Sequence, residues 1–156
     1  MTPPRFADFT QRDYCADAAR HLLRERETRY PALVEAGKLE ADHAELALSR
    51  ARTIAAQWAW IVAGPAEVPW DEVNQIHGFG AYNHDLVDEL ATAADRARTI
   101  ANRKGDDRSI IFADLCDALA WHQRDTGRHS MADIVWQVMI ERRCARPAPA
   151  EKRKAA

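Results

Sequence analysis

The sequence predicts an all-α fold, a long antiparallel helical hairpin plus three further helices in a bundle. Alanine, which loses no side-chain entropy in a helix, supplies 30 of the 156 residues, whereas glycine supplies only 6. Apolar residues recur at steps of three and four along five segments, which is the spacing of one helical face. No segment shows the strict alternation that is typical of a half-buried strand. These observations together exclude a β-rich or collagen-like chain.

The hairpin is predicted over residues 10–63. Pro31 lies near the end of its first helix and predicts a kink or a break there, because proline lacks an amide donor. Gly37 supplies the left-handed conformation that ends a helix, and the second helix follows Leu39. Apolar positions of the second helix repeat with period 3.5, as expected for helices packed at a shallow angle. These positions are Ala44, Ala47, Ala51, Ile54, Trp58 and Ile61.

An irregular segment over residues 64–82 follows the hairpin, and glycine and proline interrupt its periodicity. We predict an ordered loop with one short helical turn from Asp71. Loops of this length are more often functional than short ones.

Three helices are predicted over residues 83–143. Asn83 is the predicted N-cap of the first of them. Small alanine side chains on this helix and on the second helix predict that these two helices approach closely. We predict a single domain over residues 1–143 that begins with a loose segment at residues 1–8, and a disordered basic tail at 144–156.

The formal charge of −2 gives no overall attraction to nucleic acid or to an anionic membrane. Two arginine-rich helix faces nevertheless support an alternative function, a nucleic-acid-associated accessory protein that contacts phosphates. Interleaved carboxylates favour a solvated, salt-bridged surface over this alternative. The first face includes Arg20, Arg24, Arg26 and Arg29, and the second includes Arg96, Arg98, Arg103, Lys104 and Arg108.

The three cysteines, Cys15, Cys116 and Cys144, have no CxxC spacing, which argues against a disulfide framework or a zinc site. Cys15 and Cys116 lie on apolar helix faces, where a free cysteine behaves as a small hydrophobe. No signal peptide and no apolar run of membrane-spanning length are evident, so we expect a cytoplasmic protein without a membrane partner.

A second alternative is a metal-dependent enzyme. His77, His84, Asp85 and Asp88 lie near the predicted start of the third helix, and imidazole and carboxylate groups suit a transition metal or acid–base chemistry. The simpler interpretation is that the aspartates stabilise a helix N-terminus and the histidines are exposed. No phosphate-binding loop and no nucleophile motif are present, so we name no catalytic residue and predict no cofactor.

The fourth helix carries Asp114, Asp117 and His122. Its two carboxylates share a face and could bind a hard cation, although a solvated outer face explains them equally well. We expect His122 to be a hydrogen-bonded residue at the boundary of the core.

Five tryptophans are many for a chain of this size. Trp58 lies on the apolar seam of the second helix and is predicted to be in the core. Trp60, Trp70, Trp121 and Trp136 cannot all face inward, and an exposed aromatic patch would mark an interface. Our leading hypothesis is therefore a non-enzymatic, self-associating helical scaffold or adaptor that forms a homodimer or another homo-oligomer.

The stretch from Leu22 to Leu39 joins an arginine-rich helix that ends in Arg29-Tyr30-Pro31 to a turn at Glu35-Ala36-Gly37-Lys38. With the helix that follows, residues 20–60 resemble a helical hairpin found in small, uncharacterised all-helical proteins of bacteria and phages. The resemblance implies a helical hairpin and a phage or prophage setting, and it implies no catalytic activity.

Overall fold

The computed structural model contains five α-helices among the residues that it describes, which confirms the predicted all-α class. The described residues are 2–71, 76–77, 79–125, 127 and 131–145, with the backbone alone described at residues 71, 76 and 77. The helices are α1 (Arg12–Glu35), α2 (Ala41–Ala63), α3 (Asn83–Lys104), α4 (Asp107–Gln123) and α5 (Asp133–Ala145), and a 3-10 turn (Phe9–Gln11) precedes α1.

The helices α1 and α2 form a hairpin whose turn satisfies the backbone. Gly37 has a φ of +69°, and the amides of Lys38 and Leu39 donate to the carbonyl of Leu33 at 2.9 and 3.2 Å. These bonds use a carbonyl that would otherwise be unpaired at the end of α1. The helix passes through Pro31 to Glu35, so the predicted alternative of a break there is wrong. Proline removes one amide donor from a helix that otherwise continues its hydrogen bonding.

The helices α3 and α4 form a second hairpin, and its two members are closely packed. The alanine seam of α3 packs against Ala113 and Cys116 of α4, both of which are fully buried. The close approach that we predicted between α2 and α3 is therefore realised mainly between α3 and α4. Two adjacent hairpin helices need only the short link at Gly105, which has a φ of +69°. The seam residues of α3 are Ala94, Ala97 and Ala101.

The main core lies where α3, α4 and α5 cover one half of the first hairpin. Trp58 of α2, Leu90 of α3, Leu119 of α4 and Ile134 of α5 are all fully buried. The predicted core position of Trp58 is confirmed. Full burial of one such leucine or isoleucine side chain stabilises the fold by about 1.5–3 kcal/mol.

The N-cap of α3 differs from the prediction. Tyr82 is the N-cap, and Asn83 is the first helical residue. The side chain of Asn83 is buried, donates to the carbonyl of Gln123 at 3.3 Å and accepts from its Nε2 at 2.7 Å. Asn83 thus ties the start of α3 to the end of α4 instead of capping its own helix. Asp106 does cap α4, since its Oδ1 accepts from the amide of Ser109 at 2.9 Å.

The segment between α2 and α3 contains a short antiparallel bridge, β1 (Trp70–Asp71) and β2 (Ile76–His77). We predicted a helical turn from Asp71, but Asp71 itself is extended, and residues 72–75, over which such a turn would run, lie outside the described residues. An extended backbone at Asp71 pairs with Ile76 and obtains its hydrogen bonds across the bridge, which a helical turn would not allow.

The last helix, α5, closes the exposed end of α2. Arg142 of α5 donates to the carbonyls of Trp60 and Ile61 at 2.8 and 2.7 Å, and to that of Pro65 at 3.0 Å. These are carbonyls at and beyond the last turn of α2, which have few intrahelical partners. The helix extends to Ala145, two residues into the predicted tail, and the rest of that tail lies outside the described residues.

The first residues of the chain pack on the core instead of forming the loose segment that we predicted. Phe6 and Phe9 contact the core cluster, and Arg5 pairs with Asp114 of α4 at 3.3 Å. The thiol of Cys15 donates to the carbonyl of Phe6 at 3.7 Å. Two aromatic side chains near the N-terminus gain more from burial than the short segment loses in entropy.

Candidate functional site

The described residues of the predicted metal site do not converge into a set of metal ligands. His84 Nε2 is 3.4 Å from Asp85 Oδ1, but Asp85 also pairs with Arg50 at 3.4 Å, and Asp88 is exposed. The side chain of His77 lies outside the described residues. Within the described part of the chain, no three His, Cys, Asp or Glu residues are placed to hold a metal ion. The metal site stays a prediction that depends on the undescribed side chain of His77.

Asp85 belongs to a chain of ion pairs that joins α1, α2 and α3. Arg26 of α1 lies 2.5 Å from Glu89 of α3, and their side chains are only 10% and 12% exposed. Arg50 of α2 lies 3.6 Å from the second oxygen of Glu89. Arg26 also donates to the carbonyl of Ala47 at 3.0 Å. Two guanidinium groups and two carboxylates neutralise one another here, so the network holds three helices together.

The sequence contained a signal for this network that we missed. We counted Arg26 among the arginines of a solvated face, yet it lies four residues after Leu22 and seven after Ala19. That spacing places Arg26 on the apolar stripe of α1, where a charged side chain needs a buried partner.

A cavity of about 10 Å³ lies beside the buried ion pair of Arg26 and Glu89. Such a volume holds about one water molecule. The cavity is too small for an organic substrate, and its lining is mostly aliphatic. The lining residues other than the ion pair are Ala19, Leu22, Ala51, Ile54, Leu90 and Ala93.

A second group of polar side chains is buried where α2 and α4 meet. His122 is 5% exposed, and the edge of its ring faces Trp58 with the centroids 5.5 Å apart. Burial, assisted by Arg124 and opposed by Asp133, lowers the pKa of His122 to about 4. His122 Nε2 and Trp58 Nε1 lack a hydrogen-bond partner among the described residues. His122 is thus buried in the core instead of lying at its boundary as we expected. The imidazole is therefore neutral near pH 7 and shielded from any substrate.

Two of the three cysteines are also unreactive. Burial raises the pKa of Cys15 and of Cys116 to about 12, which keeps both thiols protonated. Their predicted behaviour as small hydrophobic residues is confirmed. Cys144 is exposed near the end of α5.

The four tryptophans that we predicted as an interface do not form one exposed patch. Trp60 is 5% exposed, donates to the carbonyl of Glu67 at 3.0 Å and lies 4.5 Å from the guanidinium of Arg142. This contradicts its predicted place on the surface, because an indole that buries its ring and pairs its N–H is satisfied within the chain.

Trp121 and Trp136 are half-buried, and Trp70 is 51% exposed. The guanidinium of Arg124 lies 3.8 Å from the ring centroid of Trp121, and Trp136 packs against the core. Of the predicted set, Trp70 therefore offers the largest exposed aromatic surface. The role of these three residues in an interface stays a prediction.

The arginine faces divide into paired and unpaired cations. Arg20 pairs with Asp17 on the same helix, and Arg98 lies 2.7 Å from Asp114 and 2.5 Å from Asp117. Arg24 is exposed. Arg98 thus pairs with both Asp114 and Asp117, and Arg5 also pairs with Asp114, which favours ion pairing within the chain over a bound cation.

The basic tip, which we define as residues 96–108, lies at the turn between α3 and α4. It carries five basic and two acidic residues. Arg98 apart, its cations take part in none of the ion pairs found between described residues. The exposed cations are Arg96, Arg103, Lys104 and Arg108.

The largest contrast in burial lies within the first hairpin. We call residues 27–49 the arm, and residues 12–26 together with 50–63 the proximal half. Twelve residues of the proximal half are buried, but Ala44 is the one buried residue of the arm. Leu46 is 47% exposed, and several other apolar side chains of the arm are half-buried. They are Tyr30, Leu33, Val34, Leu39 and Leu48.

The turn of the arm carries a negative charge. The acidic tip, which we define as residues 35–45, has four acidic residues and one basic residue, all exposed. None of these five residues takes part in an ion pair between described residues. They are Glu35, Lys38, Glu40, Asp42 and Glu45.

No helix in the described part of the chain combines the length and the apolar character needed to cross a bilayer. Comparisons with protein-family models, with curated proteins and with solved structures found no match to this chain. The evidence on function therefore comes from the burial of the arm and from the charges of the two tips.

Proposed function

We propose that this protein is a non-enzymatic helical scaffold that self-associates, and that the arm is its contact surface. The observation that carries this proposal is the abrupt loss of burial along α1 and α2. The same two helices that bury twelve residues in the proximal half bury only Ala44 in the arm.

A bare two-helix arm has little to stabilise it. Most helix stability in proteins comes from packing of an apolar face, and short isolated helices are marginal in water. Leu46 presents nearly half of its surface to solvent, and Leu33 and Val34 are only half-buried. A surface of a second copy that covers this apolar face would supply the packing that the arm lacks within its own chain.

The interior supports a scaffold over an enzyme. Buried polar groups are used within the fold: Arg26 and Glu89 pair with each other, and His122 makes an edge contact with Trp58. The cavity beside Glu89 holds about one water molecule. Surface contact is thus the use that the described residues favour.

Light scattering coupled to size-exclusion chromatography tests the proposal. We expect the wild-type mass to exceed the 17.6 kDa of one chain and to rise with concentration. Leu46→Glu places a charge in the contact and should return the protein to one chain. Ile140→Glu is the matched control, since Ile140 is an exposed aliphatic residue on α5, outside the arm, at 39% exposure.

Two outcomes would overturn the proposal. A wild-type mass of one chain at every concentration would show that the protein does not self-associate. If Leu46→Glu and Ile140→Glu weaken association equally, or if neither variant weakens it, the arm is not the contact surface.

A further inference from the structure

We infer that the acidic tip of one copy docks on the basic tip of a second copy. This inference rests on the proposed self-association and specifies which surfaces meet, namely two different parts of the chain. The two tips are the turns of the two helical hairpins, so each presents charge at the end of a pair of packed helices.

The charges of the two tips are opposite in sign. Four carboxylates against one lysine give the acidic tip a net charge of −3. Five cations against two carboxylates give the basic tip +3, or +2 when Arg98, which pairs with Asp114 and Asp117, is left out. The whole chain carries only −2, so the separation of charge is local and is hidden in the overall balance. Opposite potentials on two surfaces steer association and suppress wrong partners.

The charged groups are free to be used in this way. The ion pairs within the chain take up Arg26, Arg50 and Arg98, but they leave the carboxylates of the acidic tip unpaired among described residues. Their side chains are exposed, so pairing with a second copy requires no disruption of the fold. In the chain by itself these charges face solvent, where each isolated one contributes little.

An exposed apolar side chain also lies within or directly beside each tip. Leu46 directly follows Glu45 of the acidic tip and is 47% exposed. Ile100 lies within the basic tip and Ile111 three residues after Arg108, at 36% and 39% exposure. An apolar centre inside a charged rim is the usual anatomy of a protein interface.

A second copy fits these surfaces better than a nucleic acid does. A nucleic acid would account for the basic tip but not for the acidic tip, whereas a second copy accounts for both. If the acidic tip of each copy docks on the basic tip of the other, the two copies form a closed two-fold dimer. If the two tips of one copy dock on two different copies, the contacts continue into an open linear assembly.

Sedimentation of charge-reversed variants of the full chain tests this inference. The first variant carries Glu35→Lys and Glu45→Lys, and the second carries Arg96→Glu and Arg108→Glu. Lysine near the end of α1 and glutamate in the first turn of α4 suit the helix dipoles, so both variants should fold, which circular dichroism checks. A control with Asp13→Lys and Glu141→Lys makes the same charge change as the first variant at exposed positions outside both tips.

We expect each reversed variant to associate at least about tenfold more weakly than the wild type and the control, because like charges then meet. An equimolar mixture of the two variants should recover association. Raising the salt concentration should weaken the wild-type complex, since exposed charges are screened.

The inference is overturned if the wild type self-associates and neither reversal nor salt changes its affinity, a result that leaves the proposed self-association intact. A wild type that stays a single chain at low salt overturns both. Assembly that appears only after a DNA duplex is added would also overturn the inference, and would assign the basic tip to nucleic acid.

Discussion

The two halves of the first hairpin share one sequence pattern and differ in what covers them. Along α2 the apolar seam of period 3.5 runs from Ala44 to Ile61 without a change of register. Ile54 and Trp58 are buried by α3, α4 and α5, whereas Ala47 is only half-buried and its neighbour Leu46 is exposed. An amphipathic stripe therefore shows that a helix face needs a partner, but it does not show whether the same chain supplies that partner.

The largest expected effect is the loss of a large side chain from the proximal half. Trp58→Ala removes a fully buried indole and should lower the free energy of unfolding by about 3–5 kcal/mol. Leu46→Ala in the arm should change it by less than about 0.5 kcal/mol under conditions where the protein is a single chain. Denaturant titration measures both. Equal losses would contradict the contrast between the two halves.

Arg26 marks the border of the two halves, and its removal should have the next largest effect. Arg26→Ala leaves the largely buried Glu89 with the more distant Arg50, at 3.6 Å, in place of its partner at 2.5 Å, which should cost about 2 kcal/mol. Replacing both residues with Ala should cost less than the sum of the single changes, because the pair is removed together. Arg24→Ala is the control on the exposed side of α1 and should be nearly neutral. Additive losses at Arg26 and Glu89 would show that the pair does not interact.

Acid should destabilise the proximal half through His122. As pH falls, the unfolded chain binds a proton at this histidine near pH 6.5, but the folded chain binds one only near pH 4. The unfolded state holds more protons in this window, so stability falls as the pH is lowered from about 6.5 to about 4, by about 2–3 kcal/mol.

The variant His122→Asn isolates this effect from the titration of carboxylates. Its stability should depend less steeply on pH than that of the wild type over the same window. Arg124 and Asp133, the charged groups that influence His122, are unchanged in this variant. A wild-type slope that equals the slope of the variant would contradict a buried neutral histidine.

The smallest expected effect is a gain in the arm. Glu40 is the N-cap of α2 and makes no side-chain capping bond, although its backbone has the extended conformation of a cap. Glu40→Asp keeps the charge and supplies a side chain of capping length, which should stabilise the start of α2 by about 0.5–1 kcal/mol. Hydrogen exchange should become slower in the arm and should be unchanged in the proximal half. Unchanged exchange in the arm would contradict this local account.

Much of the helical framework follows from the sequence, because periodicity and turn residues are local signals. The end of α1 agrees with its prediction, since Gly37 follows it in the left-handed conformation that a helix end requires, and Gly105 adopts the same conformation after α3. Where a contact with a residue distant along the chain decides the local conformation, the prediction from the sequence is wrong. Asn83 is buried against Gln123 instead of capping, and the backbone of Asp71 pairs across a bridge.

The candidate surfaces were harder to predict for the same reason. Trp60 was expected at an interface, but Glu67 and Arg142 satisfy it within the chain. Arg26 was expected in solvent, but Glu89 lies opposite it in the fold. The charges of the two tips are visible in the sequence, yet which of them remain unpaired depends on contacts between helices that are distant along the chain.

The most direct test of the central claim is hydrogen exchange of the arm at two protein concentrations. At a concentration where the protein is a single chain, backbone amides of the arm should exchange much faster than those of the proximal half. At a concentration where it self-associates, the arm should become protected while the proximal half stays unchanged. Equal protection of both halves at low concentration would contradict the claim, because the arm would then be stable without a second copy.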